Sequence, residues 1–247
     1  MIRIHREMLP GSLTRELARL TDGIQQAELG GRTTYARSMW RHTTVRRNVR
    51  PPLVTALRRM AIGREFCMYC GDNRGLDIDH FEPVNRNPLR TFDWLNHLLA
   101  CSGCNSGRKG DKFPTDDAGR PLLIDPSAED PFDHLRLTLS LGMYTALTLK
   151  GKVTIDVCDL NNEILARGRQ DARSVVEACI FQWARANEQD DTEEKGRWVR
   201  AIQGQPFADV CQTMLRLAEL PSAPLVLESP DLIRLLQGSA LREALLR

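Results

Sequence analysis

CMYCGDNRGLDIDHFEPVNRNPLRTFDWLNHLLACSGCNSGRKGDK, residues 67–112, is the stretch on which the fold turns. It begins with Cys67-Met-Tyr-Cys70 and closes with Cys101-Ser-Gly-Cys104, two Cys-x-x-Cys pairs with thirty residues between them. Two sulfurs on one tight turn make half of a tetrahedral shell, and a second such turn completes it. Ligand identity and spacing therefore point to zinc held by four thiolates. In a reducing compartment four neighbouring thiolates favour zinc over disulfides, and over a redox pair or two unrelated turns. A closed thiolate shell leaves no open coordination position, so the expected Zn²⁺ is structural. Its binding can contribute ~10 kcal/mol or more to folding, which makes a loop-rich module credible. The chain has seven cysteines, an odd number that argues against a fully paired disulfide framework. Cys158, Cys179 and Cys211 stand alone among apolar neighbours and read as core.

Outward from this stretch the texture changes on both sides. Residues 66–116 are short apolar runs broken by Gly, Asn, Asp and Pro, as expected of a small ligand-held module. Residues 1–65 read as helical and basic. Leu13, Leu17, Leu20 and Ile24 recur on one face of a helix expected over 12–29 with Ser12 as its cap, and Pro51-Pro52 opens a second helix. In residues 117–247, Pro121 to Pro126 reads as extended and Lys152 to Val157 alternates like a strand. Helices follow: Val176, Cys179, Ile180 and Trp183 share one face, as do Phe207, Val210, Cys211, Met214 and Leu215, and Ser229-Pro230 caps a last helical stretch. The expected class is α+β, mainly helical: three regions, 1–65, 66–116 and 117–247, with the last a candidate surface for a partner.

Composition is that of an ordinary globular protein of 247 residues, 42% hydrophobic and 27% charged, with no internal repeat. The first residues, MIRIHREMLPG, carry charge without an apolar run behind it, and no later window approaches the ~20 apolar residues of a membrane span. No membrane association and a cytoplasmic setting are expected. The net charge of +2 says little, but its distribution is uneven. Between Gly30 and Arg64 there are nine arginines and no aspartate or glutamate, which favours a phosphate-facing surface over a solvated face that merely balances acidic segments elsewhere.

Inside the cysteine clamp, Asp79-His80 ends a short expected strand, Asn96 precedes the second cysteine pair, and Asn105 follows it directly. Together these residues resemble the ββα-metal motif of HNH endonucleases. Phosphodiester hydrolysis needs a base for water, a cation for the charge developing on phosphate, and positioning of both. An imidazole titrates near neutral pH, so His80 suits the base. The resemblance implies that Asp79 and Asn105 are hard oxygen ligands to Mg²⁺ or Mn²⁺, and that Asn96 is an orienter of the loop. Lys109, four residues beyond Asn105, reads as sharing its helical face and reaching a substrate phosphate, with Arg108 and then Lys112 as further candidates. Asp77 shares a strand face with Asp79. His97 is expected on the face opposite Asn96, Trp94 as a core anchor, and His5 and His42 carry no assigned role.

Lys112-Phe-Pro114, Leu123-Ile-Asp-Pro126, Glu129-Asp-Pro131, His134 and Leu160-Asn161 extend the resemblance to the HNH subunit of Septu-type bacterial antiviral systems, over roughly residues 65–185. That family implies a nuclease acting on nucleic acid, DNA first, beside a partner ATPase. Asp125 and His134 read as turn residues and not as a second catalytic pair. Two alternatives stay open from sequence: a zinc module that only binds nucleic acid or a protein, and a nuclease whose substrate is RNA.

Overall fold

In the computed structural model residues 1–61, 65–72 and 75–246 are described; Arg64, the last arginine of the basic run, lies outside them. Helix α1, Gly11–Gln26, forms where Leu13, Leu17, Leu20 and Ile24 recur at helical spacing, and all four are buried. Its boundaries correct the sequence reading. Pro10 is the residue before the helix, Thr14 N–H donates to its carbonyl at 3.0 Å, and Ser12 lies inside the first turn without capping. Helix α2 covers Arg32–Arg41, and α3, Arg50–Met60, starts one residue before the Pro-Pro pair and buries Leu53, Ala56, Leu57 and Met60.

The middle of the chain is a two-stranded antiparallel sheet followed by a short helix. β1, Asp77–His80, pairs with β2, His97–Ala100, so that His80 lies directly opposite His97 and Asp79 opposite Leu98. Alternation puts Ile78, His80, His97 and Leu99 on one face and Asp77, Asp79, Leu98 and Ala100 on the other. Every residue of β2 is buried, so both faces are covered. The first cysteine turn docks on β2 through Met68 N–H to Leu99 O, 2.8 Å. From within the second pair, Gly103–Lys109 winds as a wide turn with i→i+5 bonding, closed by Gly110 N–H to Asn105 O at 2.8 Å.

β3, Leu135–Thr138, and β4, Met143–Ala146, form a second antiparallel pair. The alternating Lys152 to Val157 segment is not a strand but part of α4, Leu149–Cys158. Thr148 caps it by accepting from Gly151 N–H at 3.1 Å, Asp159 ends it in the left-handed conformation, and the buried positions Gly151, Thr154 and Cys158 follow helical spacing. Gly151 also lies so close to the His134 carbonyl that a Cβ would come within 2.1 Å of its oxygen. Caps and packing thus outweigh the β propensity of Val153, Ile155 and Val157.

The long helix α5, Glu163–Glu188, carries the expected stripe Val176, Cys179, Ile180 and Trp183, all buried, and packs against α6, Thr192–Gln203. In α7, Ala208–Leu217, Val210, Met214 and Leu215 face the core, whereas Cys211 is half-buried and Phe207 sits before the helix at φ 61°. Helices α8, Ala223–Leu227, α9, Pro230–Gln237, and α10, Ser239–Leu246, complete the bundle, with Ser229 capping α9 by accepting from Leu232 N–H. A buried ion pair, Arg169 with Asp209 at 3.4 Å, ties α5 to α7, and Arg169 also donates to the Gly142 and Leu160 carbonyls. Among the described residues no helix is long and apolar enough to cross a membrane.

Candidate metal centre and catalytic cleft

The two cysteine turns converge. The sulfurs of Cys67, Cys70, Cys101 and Cys104 all lie within 4.8 Å of one another and all four residues are buried. A tetrahedral zinc with Zn–S bonds near 2.3 Å has sulfur–sulfur edges of roughly 3.8 Å. The Cys70–Cys101 separation, 3.9 Å, matches that edge. Burial pushes the Cys67 thiol well above its ordinary value, so free thiolates are penalised in this cluster. Four buried sulfurs this close are a donor set that a divalent cation would let deprotonate. The four residues therefore fit a structural zinc.

Beside this centre, at the end of β1, an open cleft of about 240 Å³ is lined by Asp79, His80, Asn105, Arg37 and Asp111, among others. His80 reaches it from one face of the sheet and Asp79 from the other. The Nε2 of His80 lies 3.0 Å from the Thr91 carbonyl oxygen. A carbonyl only accepts, so Nε2 carries the proton and Nδ1 is the nitrogen left able to take one. Burial lowers the His80 imidazole to about 4, outweighing the hydrogen bond to Thr91, so the ring is neutral at neutral pH. The loop between the strands is held by Asn96, which is fully buried. Its Oδ1 accepts from Glu82 N–H at 2.8 Å, and its Nδ2 donates to the carbonyls of Glu82 and Arg90, each at 3.0 Å. Asn96→Ala is expected to cost about 2–4 kcal/mol, since three backbone groups lose their partner inside the fold; a denaturant titration with an unchanged midpoint would refute this.

Asp79 is buried as well, at 3% exposure. Tyr69 donates to its Oδ2 at 2.6 Å, and Lys109 Nζ lies 3.0 Å from Oδ2 and 3.2 Å from Oδ1. Desolvation raises the Asp79 carboxyl against the opposing pull of Lys109 and Tyr69.

With this geometry in view, comparison with known proteins adds one relative. The chain is similar to a Septu protein. It is 28% identical over 166 residues to the Septu protein PtuB of Bacillus thuringiensis, covering 65% of this chain and 55% of that protein. The chain thus spans little more than half the length of the curated relative it matches. No protein-family model matches.

Two residues read as phosphate contacts are placed elsewhere. Lys109 points inward: its ammonium is fully buried, pairing with Asp79 and donating to the His80 carbonyl at 2.8 Å. The reason is the wide turn of Gly103–Lys109, whose last residue folds back over β1. Lys109→Met would leave Asp79 buried without its cation, and a loss of about 3–5 kcal/mol is expected; equal stability of the variant by chemical denaturation would exclude that role. Arg108 turns away from the cleft and pairs with Asp159 at 3.2 Å beyond the end of α4. Lys112 is exposed. Asp77 is half-buried on the face of β1 that carries Asp79. Asp125 holds a turn by accepting from Ser127, and His134 pairs with Glu129 at 3.0 Å, as turn and surface residues do. Trp94 packs against the core and donates to Glu7 O.

Sequence reasoning missed the residues that support His80 from a distance. His97, fully buried, donates through Nε2 to the same Thr91 carbonyl at 2.9 Å, with its ring centroid 5.2 Å from that of His80. Cross-strand pairing was the signal available, because residues opposite each other share a face. Trp40, on α2, packs edge-on to His80 with centroids 4.6 Å apart and also touches Phe92 and His97. No local pattern links Trp40 to His80.

Proposed function

We propose that this chain is an HNH-type endonuclease that hydrolyses phosphodiester bonds, DNA first, in the cleft at the end of β1, and that it serves bacterial anti-phage defence. The observation that carries this reading is the meeting of Asp79, His80 and Asn105 on one solvent-open cleft directly beside a buried four-cysteine cluster. His80 acts as general base: Thr91 fixes the tautomer, burial keeps the ring neutral, and Nδ1 takes the proton of the attacking water. Asn96 keeps the loop that presents Thr91 and Glu82 in register with the strand. The carboxylate of Asp79 and the side-chain oxygen of Asn105 are the hard donors that would hold Mg²⁺ or Mn²⁺. Bound there, such an ion would supply charge neutralisation to the phosphate. Tyr69 donates to Oδ2 and Lys109 contacts both oxygens of the Asp79 carboxylate, so an ion bound there would share those oxygens with the ammonium.

The similarity to the Septu protein supports the defence role, and the resemblance to Septu systems implies an ATPase subunit as partner. Supercoiled plasmid and a folded RNA, each incubated with Mg²⁺ or Mn²⁺ with and without whatever copurifies, test the assignment. Nicked or linear plasmid is the expected product. RNA cleavage alone would move the substrate to RNA, and intact substrates in every arm would leave a binding module.

A further inference from the structure

We propose that Arg37 is a phosphate-binding residue of this cleft, held in readiness by Asp111. The inference rests on the nuclease reading and names a substrate contact within it. The acid-free run between residues 30 and 64 is not a uniform basic face. Arg58 pairs with Glu65, Arg59 pairs with Glu7, Arg32 donates to backbone carbonyls, and Arg50 stacks over Trp40. Of that run's described arginines, Arg37 is the one that lines the cleft.

Its position is fixed by the helix that bears it. Arg37 and Trp40 are three residues apart on α2 and so share a face. Trp40 seats that face against His80, and the neighbouring Ala36 is fully buried, so the guanidinium is carried to the cleft on a rigid element. There its Nη2 lies 3.2 Å from Asp111 Oδ2, with the two side chains 45% and 61% exposed. An ion pair this exposed holds weakly. A phosphodiester offers the guanidinium two anionic oxygens in the fork geometry it prefers, while the same phosphate is repelled by Asp111. Substrate therefore takes Arg37 from Asp111, and Asp111 keeps the guanidinium extended across the cleft until it does.

This assignment makes the two partners act in opposite directions, which a purely structural ion pair would not. Binding of a short labelled DNA duplex, and of RNA of the same sequence, is measured by anisotropy over a range of salt without added divalent cation. Arg37→Ala is expected to weaken binding about tenfold and to reduce the slope of log K against log salt by about one. Arg37→Lys retains the charge but not the fork, and should fall between wild type and Arg37→Ala. Asp111→Asn should tighten binding severalfold, and Arg19→Ala, on the exposed side of α1, should leave it unchanged. Weakening by both Arg37→Ala and Asp111→Asn would reduce the pair to a structural one and overturn the proposal. So would an unaltered affinity and slope in Arg37→Ala, or no binding of either probe by the wild type. If Arg37→Ala binds as wild type while plasmid is still cut, the phosphate assignment fails and the nuclease stands. If wild type binds through Arg37 but never hydrolyses with Mg²⁺ or Mn²⁺, the nuclease reading fails and the phosphate site remains.

Discussion

Cys104→Ser is expected to abolish zinc binding and to unfold the segment between the two cysteine turns. Cys104 is fully buried in the sulfur cluster, and a serine hydroxyl there cannot replace a thiolate ligand. The dependence is strong because the sulfur cluster joins two turns thirty residues apart at the base of a very small sheet. Each of its strands has four residues, and a two-stranded sheet of that length is marginal in water without further support. The first turn reaches β2 through one backbone bond, Met68 to Leu99, and the second turn continues straight from β2. Binding worth ~10 kcal/mol exceeds much of the net stability of a typical domain, so its loss should appear as insoluble protein or a collapsed thermal transition. Metal content per chain and thermal unfolding decide the matter. A variant with wild-type zinc and wild-type Tm would remove the clamp from the account of the fold.

The other large effect concerns hydrolysis. His80→Ala should lower the rate of phosphodiester cleavage by about 10²–10⁴-fold, the usual contribution of a positioned general base. The variant should retain its zinc, because His80 touches Thr91, Trp40 and His97 and none of the four cysteines. Rate and metal content must therefore separate: an inactive protein with full zinc is the expected result. Cleavage at the wild-type rate would show that some other group takes the proton.

What could be read in the sequence was short-range. The cysteine pairs declare themselves because ligand spacing is imposed by the turn that bears them. The amphipathic stripes of α1 and α5 declare themselves because burial follows the helical repeat. The failures have equally physical causes. Val153, Ile155 and Val157 favour a strand locally, but Thr148, Asp159 and the close approach of Gly151 to His134 make that segment a helix. Counting α-helical steps puts Lys109 beside Asn105, but the wide turn it ends directs it to Asp79. Arg37 comes to the cleft, and Trp40 to the His80 ring, from a helix about forty residues before His80, and nothing in either neighbourhood announces the meeting.

The contact between Gly71 and Phe207 has a mechanical consequence. Phe207 N–H donates to the Gly71 carbonyl at 2.7 Å, and a Cβ on Gly71, at φ 80°, would lie 3.2 Å from Asp209 Oδ1 and 3.4 Å from Phe207 Cα. The knuckle that begins with Cys67 is thereby bonded to the residue in front of α7. A load on the carboxy-terminal bundle thus has a direct path to the cysteine knuckle, through the backbone bond between Phe207 and Gly71.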